Sequence, residues 1–172
     1  LNYAPNSDTL FYISASRGFK AGGFNNPQLS FASPLSLPYG GETIMAYEAG
    51  VKVDLLQDAV RLNAAAFHYD YNNFQNFLYV GSQTRVFNGD AKISGADADL
   101  TFKPYKGLVL QAGLSYLHSK ADVSVDDVGN PVPTYTQPVP AAPKFSANLL
   151  ARYQFDAFGG QIAVQTNWAH KA

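Results

Sequence analysis

The chain has 172 residues, of which 47% are hydrophobic and 14% aromatic, with no cysteine and a formal net charge of -1. The near-neutral charge gives no sign of a nucleic-acid partner, and the lack of cysteine excludes a disulfide framework and thiol chemistry. The mean hydropathy is only -0.13 although almost half of the residues are hydrophobic, which indicates apolar residues interleaved with polar ones. No apolar run is long enough for a transmembrane helix. The first residues also lack the basic and apolar regions of a signal peptide, so we expect either a cytosolic chain or one whose beginning has been removed.

An apolar pattern of period two, which is the signature of half-buried strands, runs through almost the whole sequence. The ten prolines fall outside the centres of the predicted strands, as a hydrogen-bonded sheet requires. The pattern predicts an all-β chain of about seven antiparallel strands, roughly Thr9–Lys20, Thr43–Leu56, Val60–Tyr79, Arg85–Lys103, Leu108–Lys120, Phe145–Phe155 and Gln161–His170.

The connections between these strands alternate in length. Short turns are predicted near residues 57–58, 104–107 and 156–160, and long polar connections at about 21–42 and 121–144. The exception is the hairpin of the third and fourth strands, whose tip at about 80–84 is short although its strands are the longest. Short turns on one side and long loops on the other are typical of outer-membrane barrels, with the turns facing the periplasm and the loops facing outward.

Each predicted strand has one apolar face and one polar face. In the sixth, Phe145, Leu149 and Tyr153 alternate with Ser146, Asn148 and Arg152. A soluble sheet packed on a core and a barrel wall between lipid and a wet lumen both produce this pattern. The third and fourth strands approach 20 residues, whereas strands of globular proteins usually have about 3–10, and this length favours the barrel.

Five segments resemble the barrels of TonB-dependent outer-membrane receptors, which import iron–siderophore complexes and similar scarce nutrients. Aspartates stand at Asp97 and Asp99 where the family usually has glutamates, which preserves both charge and face. The segments are Ser16–Asn25, Glu42–Lys52 with its "YEAGVK" run, Arg61–Tyr71, Asn88–Asp99 and Pro140–Phe145.

This resemblance implies that the chain is a segment of an up-and-down transmembrane β-barrel from the C-terminal half of a 22-stranded receptor, with residues 1–172 forming one partial barrel domain without a plug. It implies a Gram-negative outer-membrane location and a role as the wall of a receptor that imports a bulky nutrient such as a ferric siderophore. Expected partners are outer-membrane lipid, the small-molecule ligand, and the parent chain's plug domain, through which TonB acts. The chain is not expected to be an enzyme or to hold a cofactor. The alternatives are a passive porin-like or adhesin-type barrel and a soluble β-sandwich or lipocalin-like binding protein.

Candidate site residues follow from the same pattern. The outer loop after the first predicted strand carries Phe24, Asn25, Phe31 and Tyr39, whose aromatic rings are suited to grip an iron chelate. Charges expected to face the lumen are Glu48, Lys52, Asp97, Asp99 and Arg152.

Catalytic and metal-binding interpretations are weaker. Asp97 and Asp99 share a face, as acid–base carboxylates must, yet charges that line a lumen share a face as well. His68, His118 and His170 have no metal-ligand spacing, so no metal site is expected there. Oxygen ligands for calcium occur in the last long loop without the full pattern of a calcium-binding loop, at Asp122, Asp126, Asp127 and Asn130.

Overall fold

The computed structural model describes residues 1–26, 38–80, 83–123 and 135–172. Within these ranges the chain forms only strands and turns, and no helix that is long and apolar enough to cross a membrane occurs in them. The strands are β1 (Asn2–Asn6), β2 (Thr9–Lys20), β3 (Gly23–Phe24), β4 (Pro38–Tyr39), β5 (Glu42–Leu55), β6 (Val60–Val80), β7 (Gln83–Phe102), β8 (Leu108–Val123), β9 (Tyr135–Gln137), β10 (Phe145–Ala157) and β11 (Gly160–Lys171).

One large sheet contains nine of these strands in the order β1-β2-β5-β6-β7-β8-β10-β11, with β9 paired to β8. Every pairing is antiparallel, and β3 and β4 form a separate two-stranded sheet. The prediction of an all-β, up-and-down antiparallel segment is confirmed. The sheet is open, with β1 and β11 at its two edges.

Tight turns join the strands at one end of the sheet, which we call the short-turn end. Between β5 and β6, the residues Leu56, Gln57 and Asp58 all have φ between 54° and 66°, and Gly107 and Gly159 supply positive φ in the turns before β8 and β11. The opposite end is called the long-loop end. On that side β6 carries a bulge between Tyr71 and Phe74, where Asn73 has a φ of 55° and its N–H donates to the Asp90 carboxylate.

The structure also contains strands that the sequence pattern did not predict. β1 includes Pro5 and pairs with β2 across a turn in which the Asp8 N–H donates to Asn6 Oδ1. The other three, β3, β4 and β9, are two or three residues long, which is too short for any periodicity to be visible. β6 and β7 also continue to Val80 and Gln83, into the region predicted as a hairpin tip.

The strand register divides the large sheet into an apolar face and a polar face. Neighbouring strands place residues of the same kind side by side, because each directly opposed pair shares a face. One row of the apolar face consists of Ile13, Ala49, Ala66, Ala96, Tyr116 and Phe145. One row of the polar face consists of Leu10, Lys52, Asn63, Asp99, Gly113 and Asn148.

The described residues contain almost no apolar core. The only hydrophobic side chains among them that are buried are Phe87, Ala91 and Ala121. The chain exposes 11641 Å², whereas a compact soluble monomer of its mass would expose about 8,200 Å². Large side chains of the apolar face, such as Leu114, Leu149 and Trp168, are each about half exposed. Folding therefore leaves a broad apolar surface that no other part of the described chain covers.

Candidate functional site

The five predicted lumen charges all lie on the polar face. Asp99 is two residues from Asp97 on β7, and Lys52 on β5 lies in the same row as Asp99, with Asn63 between them. Glu48 accepts a hydrogen bond of 2.7 Å from the Tyr12 hydroxyl, and Arg152 donates one of 3.2 Å to Gln154.

These five charges do not form ion pairs with one another in the described part of the chain. Lys52 Nζ lies 6.0 Å from the centroid of the Tyr12 ring. Within residues 1–26, 38–80, 83–123 and 135–172, none of Glu48, Lys52, Asp97, Asp99 and Arg152 forms an ion pair. The polar face therefore presents charges that remain available to another molecule or domain.

Two glycines on the polar face allow aromatic rings to lie close to the backbone. Gly50 pairs with Tyr12, and Gly95 pairs with Phe67. A β-carbon at Gly95 would lie 2.5 Å from the Phe67 ring and 2.6 Å from the Tyr116 carbonyl oxygen. A glycine inside a strand indicates close approach by a neighbouring group, and the cross-strand register identifies that neighbour as an aromatic ring.

The predicted ligand residues of the first long loop differ in their surroundings. Phe24 in β3 is 80% exposed, whereas the Tyr39 hydroxyl lies against Gly23 on the paired strand. Asn25 is buried, and its side chain both donates to the Val86 carbonyl (2.9 Å) and accepts from the Val86 N–H (2.7 Å). Phe31 lies outside the described residues. Among the described residues of this loop, Phe24 thus has a free aromatic surface, and Asn25 holds the loop to β7.

An amide cluster at the long-loop end reinforces this attachment, and the sequence pattern did not predict it. The Gln75 side chain donates to the carbonyls of Ala21 (2.8 Å) and Gly40 (3.1 Å), while its backbone N–H donates to Glu42. Asn88, which pairs with Gln75, also donates to the Gly40 carbonyl. In the sequence, this cluster is indicated only by the presence of amide residues in the two strands that are longer than the others.

The histidines and acidic residues form no metal cluster in the part of the chain that the structure describes. His68 contacts Asp70 at 3.2 Å and Ser94 at 2.7 Å, and the His170 ring stacks on Trp168. Asp122 accepts a hydrogen bond from Thr136. The other oxygen-bearing residues of that loop, Asp126, Asp127 and Asn130, lie outside the described residues.

The whole chain also matches a known family. Residues 1–171 match the family described as TonB dependent receptor-like, beta-barrel. The chain belongs to the TonB-dependent receptors. The resemblance inferred from the sequence motifs is therefore confirmed, and the family consists of receptors and transporters.

Solved structures of TonB-dependent receptors share its fold. The ferric yersiniabactin uptake receptor FyuA from Yersinia pestis matches with a TM-score of 0.67 and 21% identity, over 94% of this chain and 23% of that one. The copper transporter OprC matches with a TM-score of 0.69 and 16% identity, over 98% of this chain and 24% of that one. The siderophore receptor PiuA from Acinetobacter baumannii matches with a TM-score of 0.60 and 18% identity, over 88% and 22%. This chain thus spans about a quarter of the length of these proteins.

Proposed function

We propose that this chain forms part of the outer-membrane barrel wall of a receptor that imports a bulky, scarce nutrient such as a ferric siderophore. The observation that carries the proposal is a wide, exposed apolar face on a sheet with no apolar core, in a chain of the TonB-dependent family. Lipid is the medium that removes such a face from water, and the polar face then lines a wet lumen.

The length of the apolar surface supports a membrane-spanning wall. Every apolar-face position is apolar from Leu108 to Tyr116 in β8 and from Phe145 to Phe155 in β10. These lengths match the about 9–11 residues that a tilted strand needs to cross a bilayer. Beyond them, toward the long-loop end, the same face changes to His118 and Lys120 in β8. This change in polarity favours a membrane boundary at that level, with the long loops outside the cell and the short turns in the periplasm.

A soluble β-sandwich is disfavoured by the same surface. A sandwich packs a second sheet on the apolar face of the first. In the described ranges the second sheet has only the strands β3 and β4, of two residues each. It therefore cannot cover a face that extends over eight strands.

In this proposal the polar face contacts the plug domain, and the first long loop takes part in ligand binding. The free carboxylates of Asp97 and Asp99, with Lys52 and Arg152, face the lumen and meet the plug domain of the parent chain, through which TonB acts. The first loop, with Phe24 exposed and Tyr39 beside Gly23, contributes to ligand capture outside the cell. Asn25 acts by fixing that loop.

The test uses the full-length protein that contains this segment. We expect it to fractionate with the outer membrane, to migrate differently on a gel before and after heating, and to be needed for growth on a ferric chelate under iron limitation. A protein that remains soluble without detergent would contradict the wall assignment. A membrane barrel that conducts small solutes without TonB would instead support the porin-like alternative.

A further inference from the structure

We propose that Ser94 and His68, with Asp70 as a positioning residue, form a hydrolytic site for short-chain carboxylic esters. We call these three residues the serine triad. This activity is separate from transport, and the sequence does not predict it, because His68 and Ser94 are 26 positions apart in the chain. The pairing of β6 with β7 brings them together.

The side chains of the serine triad form a continuous chain of hydrogen bonds. The Ser94 hydroxyl lies 2.7 Å from His68 Nδ1, and His68 Nε2 lies 3.2 Å from the Asp70 carboxylate. Because a carboxylate only accepts, Nε2 carries the proton of the neutral ring, and Nδ1 accepts from the serine hydroxyl. A nucleophile, a base and a group that orients the base are therefore connected in the order that covalent catalysis requires. Serine proteases use the two ring nitrogens in the opposite order, but both nitrogens exchange protons.

The sheet holds the serine triad in place. His68 is directly opposite Ser94, and two residues further along the strands Asp70 is directly opposite Lys92. Asp70 Oδ1 lies 3.6 Å from Lys92 Nζ, whereas Oδ2 faces the histidine ring. Since all four residues belong to two paired strands, their spacing does not depend on a loop, and sites on strands are more precise than sites on loops.

Water and a substrate both have access to the serine triad. The side chains of His68 and Asp70 are 45% and 37% exposed, and Ser94 is half-buried. His118 on β8 is directly opposite Ser94 and shares its face. Directly opposed residues have β-carbons about 4.5–5.5 Å apart, so the His118 ring is within reach of an ester carbonyl at Ser94. A ring N–H there stabilises the negative oxygen that forms during the attack.

Small side chains next to the serine triad leave room for the acyl part of an ester. Ala66 and Ala96 are directly opposite each other on the same face, one pair nearer to the short-turn end than His68 and Ser94. A hollow of about 630 Å³ begins there, and its lining includes Ile13, Ala66 and His68. A short apolar acyl chain fits over the alanines, with the alcohol part of the ester toward the polar long-loop end.

The reaction needs only water as a second substrate. Ser94 Oγ attacks the carbonyl carbon of the ester while its proton passes to His68 Nδ1. The bond from that carbon to the alcohol oxygen then breaks, and the alcohol leaves with the proton from Nδ1. Water attacks the acyl-serine and gives a proton to Nδ1, and Ser94 Oγ takes this proton back as the carboxylic acid leaves. Asp70 keeps its charge throughout, orients the ring and stabilises the imidazolium.

The experiment uses the full-length protein, purified in detergent, with p-nitrophenyl butyrate as the substrate and a fluorophosphonate as the covalent probe. We expect hydrolysis of the ester and labelling of Ser94, located by mass spectrometry of the digested protein. Ser94→Ala should abolish both, whereas Ser115→Ala, on the polar face of β8, should retain both. Absence of label on Ser94 in a heat-modifiable protein, or hydrolysis that is unchanged in Ser94→Ala, would overturn the proposal.

Variants of the other two residues separate catalysis from support of the sheet. His68→Gln is expected to lower kcat by about 10²–10⁴-fold, whereas His170→Gln on β11 leaves kcat unchanged. Asp70→Asn should lower kcat with little change in KM, and Asp70→Glu, which keeps a carboxylate, should restore part of it. Heat-modifiable migration of each variant confirms that the barrel is folded. A folded Asp70→Asn variant with an unchanged kcat would refute the positioning role of Asp70, and a folded His68→Gln variant with an unchanged kcat would refute the hydrolytic site.

Discussion

The two ends of the sheet differ in what stabilises them. In the short-turn half, β5 pairs with β6 and β7 pairs with β8 in an unbroken register, and their side chains alternate between an exposed apolar face and a polar face. At the long-loop end, the buried residues are mostly polar: Asn25, Gln75, Asn76, Arg85 and Ser119. The first half depends on its surroundings to cover it, and the second is held by hydrogen bonds within the chain.

The proposed membrane location gives this difference a physical reason. A strand inside a bilayer must satisfy its backbone by pairing, and its side chains only have to match lipid on one face and water on the other. A loop outside the bilayer has no such medium, so its backbone polar groups need partners of their own. Side-chain amides provide them, because each can both donate to and accept from a backbone peptide, as Asn25 does at Val86.

The largest expected effect tests the apolar half. In the proposed barrel wall, Leu114→Arg places a charge on the apolar face of β8, where lipid cannot solvate it, and it should lower the free energy of unfolding by about 2–4 kcal/mol. Ser115→Arg, one residue on and on the polar face beside Asp97, should change it little. Unfolding of the full-length protein in lipid vesicles, followed by heat-modifiable migration, measures both. An equal loss of unfolding free energy in both variants would mean that the two faces are exposed to the same medium.

A second substitution tests the close packing of the polar face. Gly95→Leu forces a side chain into the space between the Phe67 ring and the Tyr116 carbonyl, and such overpacking costs about 1–3 kcal/mol. Gly160→Ala is the matched control, because nothing lies within 4 Å of a β-carbon there. Denaturant titration of both variants in vesicles makes the comparison. A variant at Gly95 as stable as the control would show that Phe67 is free to move away.

The sequence predicted the regular half well and the irregular half poorly. The predicted strand Thr9–Lys20 coincides with β2, because the period-two pattern of its residues continues without interruption between clear turn residues. The bonds that attach the first loop link residues more than 30 positions apart, such as Gln75 to Gly40 and Asn25 to Val86. No local pattern encodes such pairs. Asn25 was predicted as a ligand residue from its place in an outer loop, whereas its amide is buried against β7.

A third prediction addresses the attachment of the loop. Gln75→Ala removes the donor to the Ala21 carbonyl, while the Gly40 carbonyl keeps its bond from Asn88. The Ala21 carbonyl then lacks this donor, which should destabilise the loop by about 1–2 kcal/mol without affecting the rest of the sheet. We expect faster hydrogen exchange in residues 21–26 and 38–41 and weaker ligand binding, at an unchanged amount of protein in the membrane. Gln165→Ala, on the exposed β11, is the control, and the same exchange rates in both variants would exclude the anchoring role.

The smallest expected effect concerns the ion pair at the short-turn end. Arg61 donates two hydrogen bonds to the Asp54 carboxylate, at 2.6 and 3.0 Å, between the last residues of β5 and the first of β6. Water reaches both side chains, so the attraction between them is largely screened. In addition, twelve other residue pairs besides Asp54–Arg61 already fix the register of the hairpin. Asp54→Asn and Arg61→Gln, alone and together, should leave the unfolding transition in vesicles where it is, at low and at high salt. A coupling between them that persists in high salt would mean that this end of the hairpin is shielded from water, as a plug domain seated against the polar face would shield it.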